Sequence, residues 1–144
     1  MIVLFVCTGN TCRSPMAEAL LNDLAGSRGW RRTRALSAGL YAEAGAEISR
    51  NARLVLERTF GITGFRHAAQ PMTKALFDGA DAVIGMTENH AALLRLQYGP
   101  SEKIFAMPVD VGDPWGGDAA LYEACARQIV RGIGILEERG VLHD

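Results

Sequence analysis

The sequence predicts an α/β domain with a parallel, doubly wound sheet and helices on both faces. Three observations predict it. Ile2-Val3-Leu4-Phe5-Val6 is an unbroken apolar run, mostly β-branched or aromatic, as expected of a strand buried on both faces. Segments of strand character alternate with segments of helical spacing along the whole chain, the pattern of βαβ units rather than hairpins. Glycines and prolines, among them Gly26, Gly39, Gly61 and Gly99-Pro100, fall between those segments. Right-handed crossovers leave few topologies open to such a chain.

The first strand stops at Cys7, and a short loop with Gly9 and Asn10 follows. Ser14 is placed to cap a helix and Pro15 suits its first turn. Met16, Ala19, Leu20 and Leu24 carry that helix to about Ala25. The basic group Arg31, Arg32 and Arg34 reads as a solvated face rather than a docking patch. Thr33 to Ala38 reads as the second strand, which brings Leu40 and Tyr41 to its carboxyl end, where they line the pocket mouth. Residues 46–60 have helical spacing and end at Gly61. The segment from Ile62 to Met72 is irregular. Thr73 caps a short helix through Phe77, and Asp81 to Met86 is the third strand. Thr87 caps a helix through about Tyr98, and Lys103 to Met107 is the fourth strand. The turn-rich stretch from Pro108 to Asp118 precedes a last helix, Ala119 to about Arg139, capped by Asp118. Leu121, Cys125, Ile129, Ile133 and Leu136 form its apolar face, which makes Cys125 a core residue.

A chain of 144 residues, 49% hydrophobic, suits one domain, residues 1–144, with a real core. The formal net charge of -1 argues against a nucleic-acid footprint or a membrane-binding surface. The amino-terminal apolar run is too short for a signal sequence and no stretch is long enough to span a bilayer. Three cysteines, an odd and sparse count, argue for free thiols and a cytoplasmic location. His67, His90 and His143 are far apart in sequence and show no metal-ligand spacing, so no metal or cofactor is expected.

The loop after the first strand carries the chemistry. It lies at the carboxyl end of a strand and leads into a helix amino terminus. Open α/β sheets place ligands there, and backbone N–H groups with the helix dipole favour an anion there. Cys7 opens the loop and Arg13 closes it, with five residues between them. A loop of that length can curl its N–H groups, from Thr8 through Gly9, Asn10, Thr11 and Cys12 to Arg13, onto one centre. The field that favours a bound phosphate favours a thiolate too. Arg13 supplies a planar fork for two phosphate oxygens. Gly9 permits close backbone approach, Asn10 tolerates the left-handed region, and Ser14 either caps the helix or donates to the sulfur. A thiolate attacking phosphorus also needs an acid for the leaving group. Asp113 is the best placed, in the loop after strand four at the same sheet end, with Pro114 restricting it to an extended conformation. Asp110 and Asp118 are the nearest rivals, and Asp118 is better explained as the helix cap. Trp115 is placed to form one wall of the cleft, against either a phenyl ring or a flat guanidinium.

The stretch Cys7-Thr8-Gly9-Asn10-Thr11-Cys12-Arg13-Ser14-Pro15-Met16-Ala17-Glu18 resembles the signature of the low-molecular-weight protein tyrosine phosphatases. The resemblance covers almost the whole chain, including Ser37-Ala38-Gly39 and the general-acid triplet Asp113-Pro114-Trp115. It implies a flavodoxin-like sheet in the order 2-1-3-4 and catalysis through a phosphocysteine formed on Cys7. It also implies a structural hydrogen bond from His67, and a Cys12 that traps the oxidised nucleophile as a reversible disulfide. Thr11 resembles the bacterial branch that dephosphorylates protein arginine, where tyrosine-directed members carry an aliphatic residue. Met86-Thr87 and Trp115-Gly116-Gly117 agree with that branch; Leu40 departs from it, since an aromatic wall is expected there. The implied partners are phosphorylated proteins, met by a monomer. Three rivals remain: a phosphotyrosine phosphatase of the same family, a thiol-coupled arsenate reductase, and a non-catalytic phosphate or thiol sensor. The reductase needs a downstream cysteine pair, and residues 78–92 contain no cysteine. A sensor has no need of Asp113.

Overall fold

The computed structural model describes residues 1–144. Four parallel strands, β1 (Ile2–Cys7), β2 (Arg34–Gly39), β3 (Ala82–Gly85) and β4 (Ile104–Ala106), form one sheet in the order β2-β1-β3-β4. Five helices connect and follow them: α1 (Arg13–Ser27), α2 (Arg50–Phe60), α3 (Lys74–Gly79), α4 (Glu88–Tyr98) and α5 (Ala119–Glu138). No helix is long and apolar enough to cross a membrane.

β1 is central, and Val3, Leu4, Phe5 and Val6 are fully buried, as an apolar run without alternation requires. Successive side chains point to opposite faces. Val3, Phe5 and Cys7 therefore join the core beneath α1, α2 and α5, with Met16, Leu21, Leu56, Ile129 and Leu136. Leu4 and Val6 join the smaller core beneath α3 and α4, with Phe77, Val83, Leu94 and Ile104. β2 lies on one side of β1 and β3 on the other, so the strand order reverses at β1. The crevice at its carboxyl end is where such sheets hold ligands.

Several boundaries differ from the sequence reading for local reasons. α1 begins at Arg13, with Cys12 in the cap position and no capping side chain. Ser14 is thus inside the helix, and its hydroxyl is taken up elsewhere. Residues 46–49 do not join α2: Glu47 pairs with Ala68 in an isolated bridge, and the Ser49 N–H donates to the Thr11 carbonyl at 2.9 Å. On α5, Leu121 is half exposed and Tyr122 takes the buried place beside Cys125. The caps at Thr73, Thr87 and Asp118 form as the sequence predicts, each side chain accepting from a backbone N–H three residues on.

Candidate active site

β1 ends at Cys7, which pairs with Gly39 of β2. The chain then turns back on itself over residues 8–12 before α1 begins. Asn10 makes this turn possible by taking the left-handed conformation, φ 56°. It is fully buried, and its side-chain amide and its carbonyl are hydrogen-bonded. Its amide Nδ2 donates to Ser14 Oγ at 2.8 Å, its Oδ1 accepts from the Gln70 N–H at 3.0 Å, and its carbonyl accepts from His67 Nε2 at 2.7 Å. Burial pushes His67 below its ordinary value, outweighing the Asn10 hydrogen bond that pulls it up. Gly39 presses on the same turn. A Cβ there would meet the Thr8 carbonyl oxygen at 2.6 Å and the Asn10 nitrogen at 3.0 Å, so no side chain fits.

Ser14 Oγ lies 2.9 Å from Cys7 Sγ. The Asn10 amide donates to the same oxygen, which leaves the serine proton two acceptors, the sulfur and the Ala38 carbonyl at 3.4 Å. Arg13 is buried. Its Nη1 donates to the Val111 carbonyl at 3.1 Å, and its Nη2 faces Asp113 Oδ2 across 3.8 Å. The guanidinium is therefore held by the loop that carries Asp113. That loop is anchored in turn by the Val111 N–H on the Met86 carbonyl at 3.0 Å and by Asp110 Oδ1 accepting from the Glu88 N–H at 2.8 Å. Asp113 is 55% exposed, with its Oδ1 accepting from the Trp115 N–H at 3.1 Å.

Cys7, Thr8, Gly9, Thr11, Cys12, Arg13, Asp113 and Trp115 line one open cavity of about 200 Å³. Trp115 stands exposed at its edge. Asn10 and Ser14, expected among the phosphate-binding residues, lie fully buried behind the loop and shape it instead of lining the cavity. Leu40 is not in this cavity. Its N–H bonds the Cys7 carbonyl at 2.9 Å, but its side chain packs on the core of Leu4, Val6 and Ala38 and opens onto a different cavity. The strand turns its face there, so Leu40 belongs to the α3–α4 side of the sheet. Cys12, on the wall of the cavity, has its Sγ in contact with Tyr122 Oη at 3.3 Å, Ser49 Oγ at 3.4 Å and Thr11 Oγ1 at 3.7 Å. Burial pushes the Tyr122 hydroxyl up to about 12, and the Cys125 thiol is pushed up to about 12 for the same first reason. Cys125 accordingly stays a neutral core thiol.

Sequence reasoning missed His90, Tyr122, Gln70 and the Val111 carbonyl. His90 is buried, with Nε2 2.9 Å from the Thr8 hydroxyl and Nδ1 3.0 Å from the Thr87 hydroxyl. Its signal was Thr87-x-x-His90, a helix cap followed by a ring on the first turn of a helix that starts at the active end of β3. Gly85 lets that turn sit close: a Cβ on it would meet the Ala91 nitrogen at 2.7 Å.

A doubly wound sheet whose switch point holds a cysteine and an arginine around an anion-shaped turn, with a carboxylate facing the arginine in the same cavity, defines a cysteine-dependent phosphatase. The chain belongs to the low molecular weight phosphotyrosine protein phosphatase family, whose profile matches residues 2–139. A protein-arginine-phosphatase from Bacillus subtilis (strain 168) is 35% identical over 132 residues, covering 85% of each chain. The low molecular weight protein-tyrosine-phosphatase PtpB of Staphylococcus epidermidis is 30% identical over 133 residues, 85% of this chain and 87% of its own. Among solved structures, the YwlE arginine phosphatase, in a cysteine-to-serine variant with a phosphorylated active-site serine, superposes with a TM-score of 0.88 at 31% identity. It covers 96% of this chain and 95% of that one.

Proposed function

We propose that the chain removes phosphate from phosphoarginine in proteins, through a phosphocysteine on Cys7. The observation that carries the reading is the single cavity shared by Cys7, Arg13, Asp113, Thr11 and Trp115. Phosphate sits in the loop, held by N–H groups from Thr8 to Arg13 and by the Arg13 fork, whose orientation the Val111 carbonyl sets. The Cys7 thiolate attacks phosphorus and the P–N bond breaks. Asp113, carrying a proton, gives it to the departing nitrogen, which leaves as guanidinium. Asp113, now a carboxylate, takes a proton from water as that water attacks phosphorus. The S–P bond breaks, phosphate is released and the thiolate is restored. The neighbour with phosphate on the serine in its cysteine's place supports this covalent step.

Thr11 supports the choice of arginine. Thr11 lines the cavity, and a hydroxyl at this position can orient a polar guanidinium or a water, where an aliphatic residue favours a wide aromatic ring. The Bacillus relative's name supports the same choice. A phosphotyrosine substrate is favoured by Trp115, whose exposed flat face stacks on a phenyl ring as well. Exchange of Thr11→Ile tests the reading: kcat/KM on a phosphoarginine peptide is expected to fall, and that on a phosphotyrosine peptide to rise, each by about tenfold, the range of a single pocket contact. Equal effects on both peptides remove Thr11 as the discriminator. Cys12, next to the same cavity, is the proposed partner of an oxidised Cys7.

A further inference from the structure

On the α3–α4 face of the sheet, beside the catalytic cavity, lies a second open cavity of about 270 Å³ lined by Leu40, Tyr41, Leu93, Leu96 and Gln97. We propose that it is a specificity subsite, which takes a bulky apolar side chain of the substrate polypeptide close to the phosphorylated residue. The proposal rests on the function proposed above.

Three observations carry it. Leu96 is 83% exposed and Tyr41 76%, the two most exposed large apolar side chains of the chain, and both lie on this cavity. Exposed apolar surface gathered around a concavity marks an interaction site, whereas scattered exposed residues do not. Both walls are also hung from the floor of the catalytic cavity. The Leu40 and Tyr41 N–H groups donate to the Cys7 and Thr8 carbonyls at 2.9 Å each. On the other wall, His90 holds the Thr8 hydroxyl, and Leu93 and Gln97 lie one and two turns further along α4. The subsite is therefore in fixed register with the phosphate. Finally, the lining is four apolar side chains and one amide, with no charge, so it fits an apolar side chain and penalises a carboxylate or ammonium.

A catalytic cavity of about 200 Å³ admits little beyond the phosphorylated side chain. The main chain of a protein substrate must pass over its lip, and the Leu40–Tyr41 backbone that bounds the second cavity is bonded directly to the Cys7–Thr8 backbone that bounds the first.

The test is phosphate release from matched phosphopeptides carrying Leu, Ser or Glu at each of the three positions on either side of the phosphorylated residue. Both phosphoarginine and phosphotyrosine series are measured beside p-nitrophenyl phosphate, for the parent and for Leu96→Glu. Leu96 is exposed on a helix, so the exchange leaves folding intact. The expected result is a preference for Leu at one position of roughly tenfold in kcat/KM. That preference is lost in Leu96→Glu, while p-nitrophenyl phosphate turnover is unchanged. Turnover without flanking preference, or a preference that survives Leu96→Glu, overturns the subsite and leaves the proposed function standing. A shift of sedimentation from dimer to monomer in Leu96→Glu assigns the cavity to contact between copies and also overturns it. No turnover of any substrate overturns the function and the subsite together.

Discussion

His90 Nε2 lies 2.9 Å from the Thr8 hydroxyl, so the first turn of α4 holds the first residue of the phosphate loop. The same ring touches Thr87 through Nδ1, and the adjoining Glu88 N–H is held by Asp110. One helix terminus thus joins the loop that carries Cys7 to the loop that carries Asp113.

Burial pushes His90 down to about 4, with the Arg13 guanidinium adding to the effect and Asp113 and Asp110 opposing it. In the unfolded chain the same histidine titrates near its ordinary 6.5. Between those values the unfolded state binds a proton that the native state does not, so stability falls as pH is lowered from 6.5 towards 4. Above that window the contribution is constant. Thermal midpoints measured across it are expected to drop for the parent and to drop less for His90→Gln, which keeps a donor and an acceptor but does not titrate. An equal drop in both removes His90 as the source.

Asp113→Asn is expected to lower kcat by about 10²–10⁴-fold, the contribution of a positioned proton donor, with little change in thermal midpoint. The half-exposed side chain keeps its oxygen for the Trp115 N–H, so the loop holds its shape. A comparison of kcat for both proteins on the same phosphopeptide reads the effect. Unchanged turnover removes Asp113 as the proton donor.

Cys7 and Cys12 are both free thiols in the structure, and Cys12 rests on Tyr122 and Ser49. Hydrogen peroxide converts the Cys7 thiolate to a sulfenic acid with release of hydroxide, and the Cys12 thiol condenses with it to a disulfide with loss of water. The parent is expected to regain activity with dithiothreitol after peroxide, and Cys12→Ser to regain far less because its Cys7 oxidises further. Equal recovery shows that Cys12 only packs the loop.

The parallel sheet and the loops that bring Cys7, Arg13 and Asp113 to one cavity were legible from local pattern, whereas the strand order came only from the family resemblance. An apolar run without alternation says central strand, and a Gly-Asn turn into a helix says anion loop. Leu40 was misplaced because sequence shows that it follows β2 but not which face of the sheet it turns to; Cys7 and Leu40 are joined through a backbone bond and diverge in their side chains. Ser14 was open to two readings, a helix cap, as serine before proline commonly is, or a partner of the sulfur, and the structure has the second. Its hydroxyl serves Cys7 and Asn10, a tertiary demand that outweighs the local preference. His90 and Tyr122 reach the loop from 82 and 110 residues away, and no local spacing reports such contacts.

The most direct measurement is release of phosphate from a phosphoarginine peptide and a phosphotyrosine peptide of the same sequence, side by side, with Cys7→Ser as the blank. A strong preference for phosphoarginine, absent in Cys7→Ser, is the predicted result. A preference for phosphotyrosine contradicts the substrate reading of Thr11, and release that persists in Cys7→Ser contradicts the phosphocysteine mechanism itself.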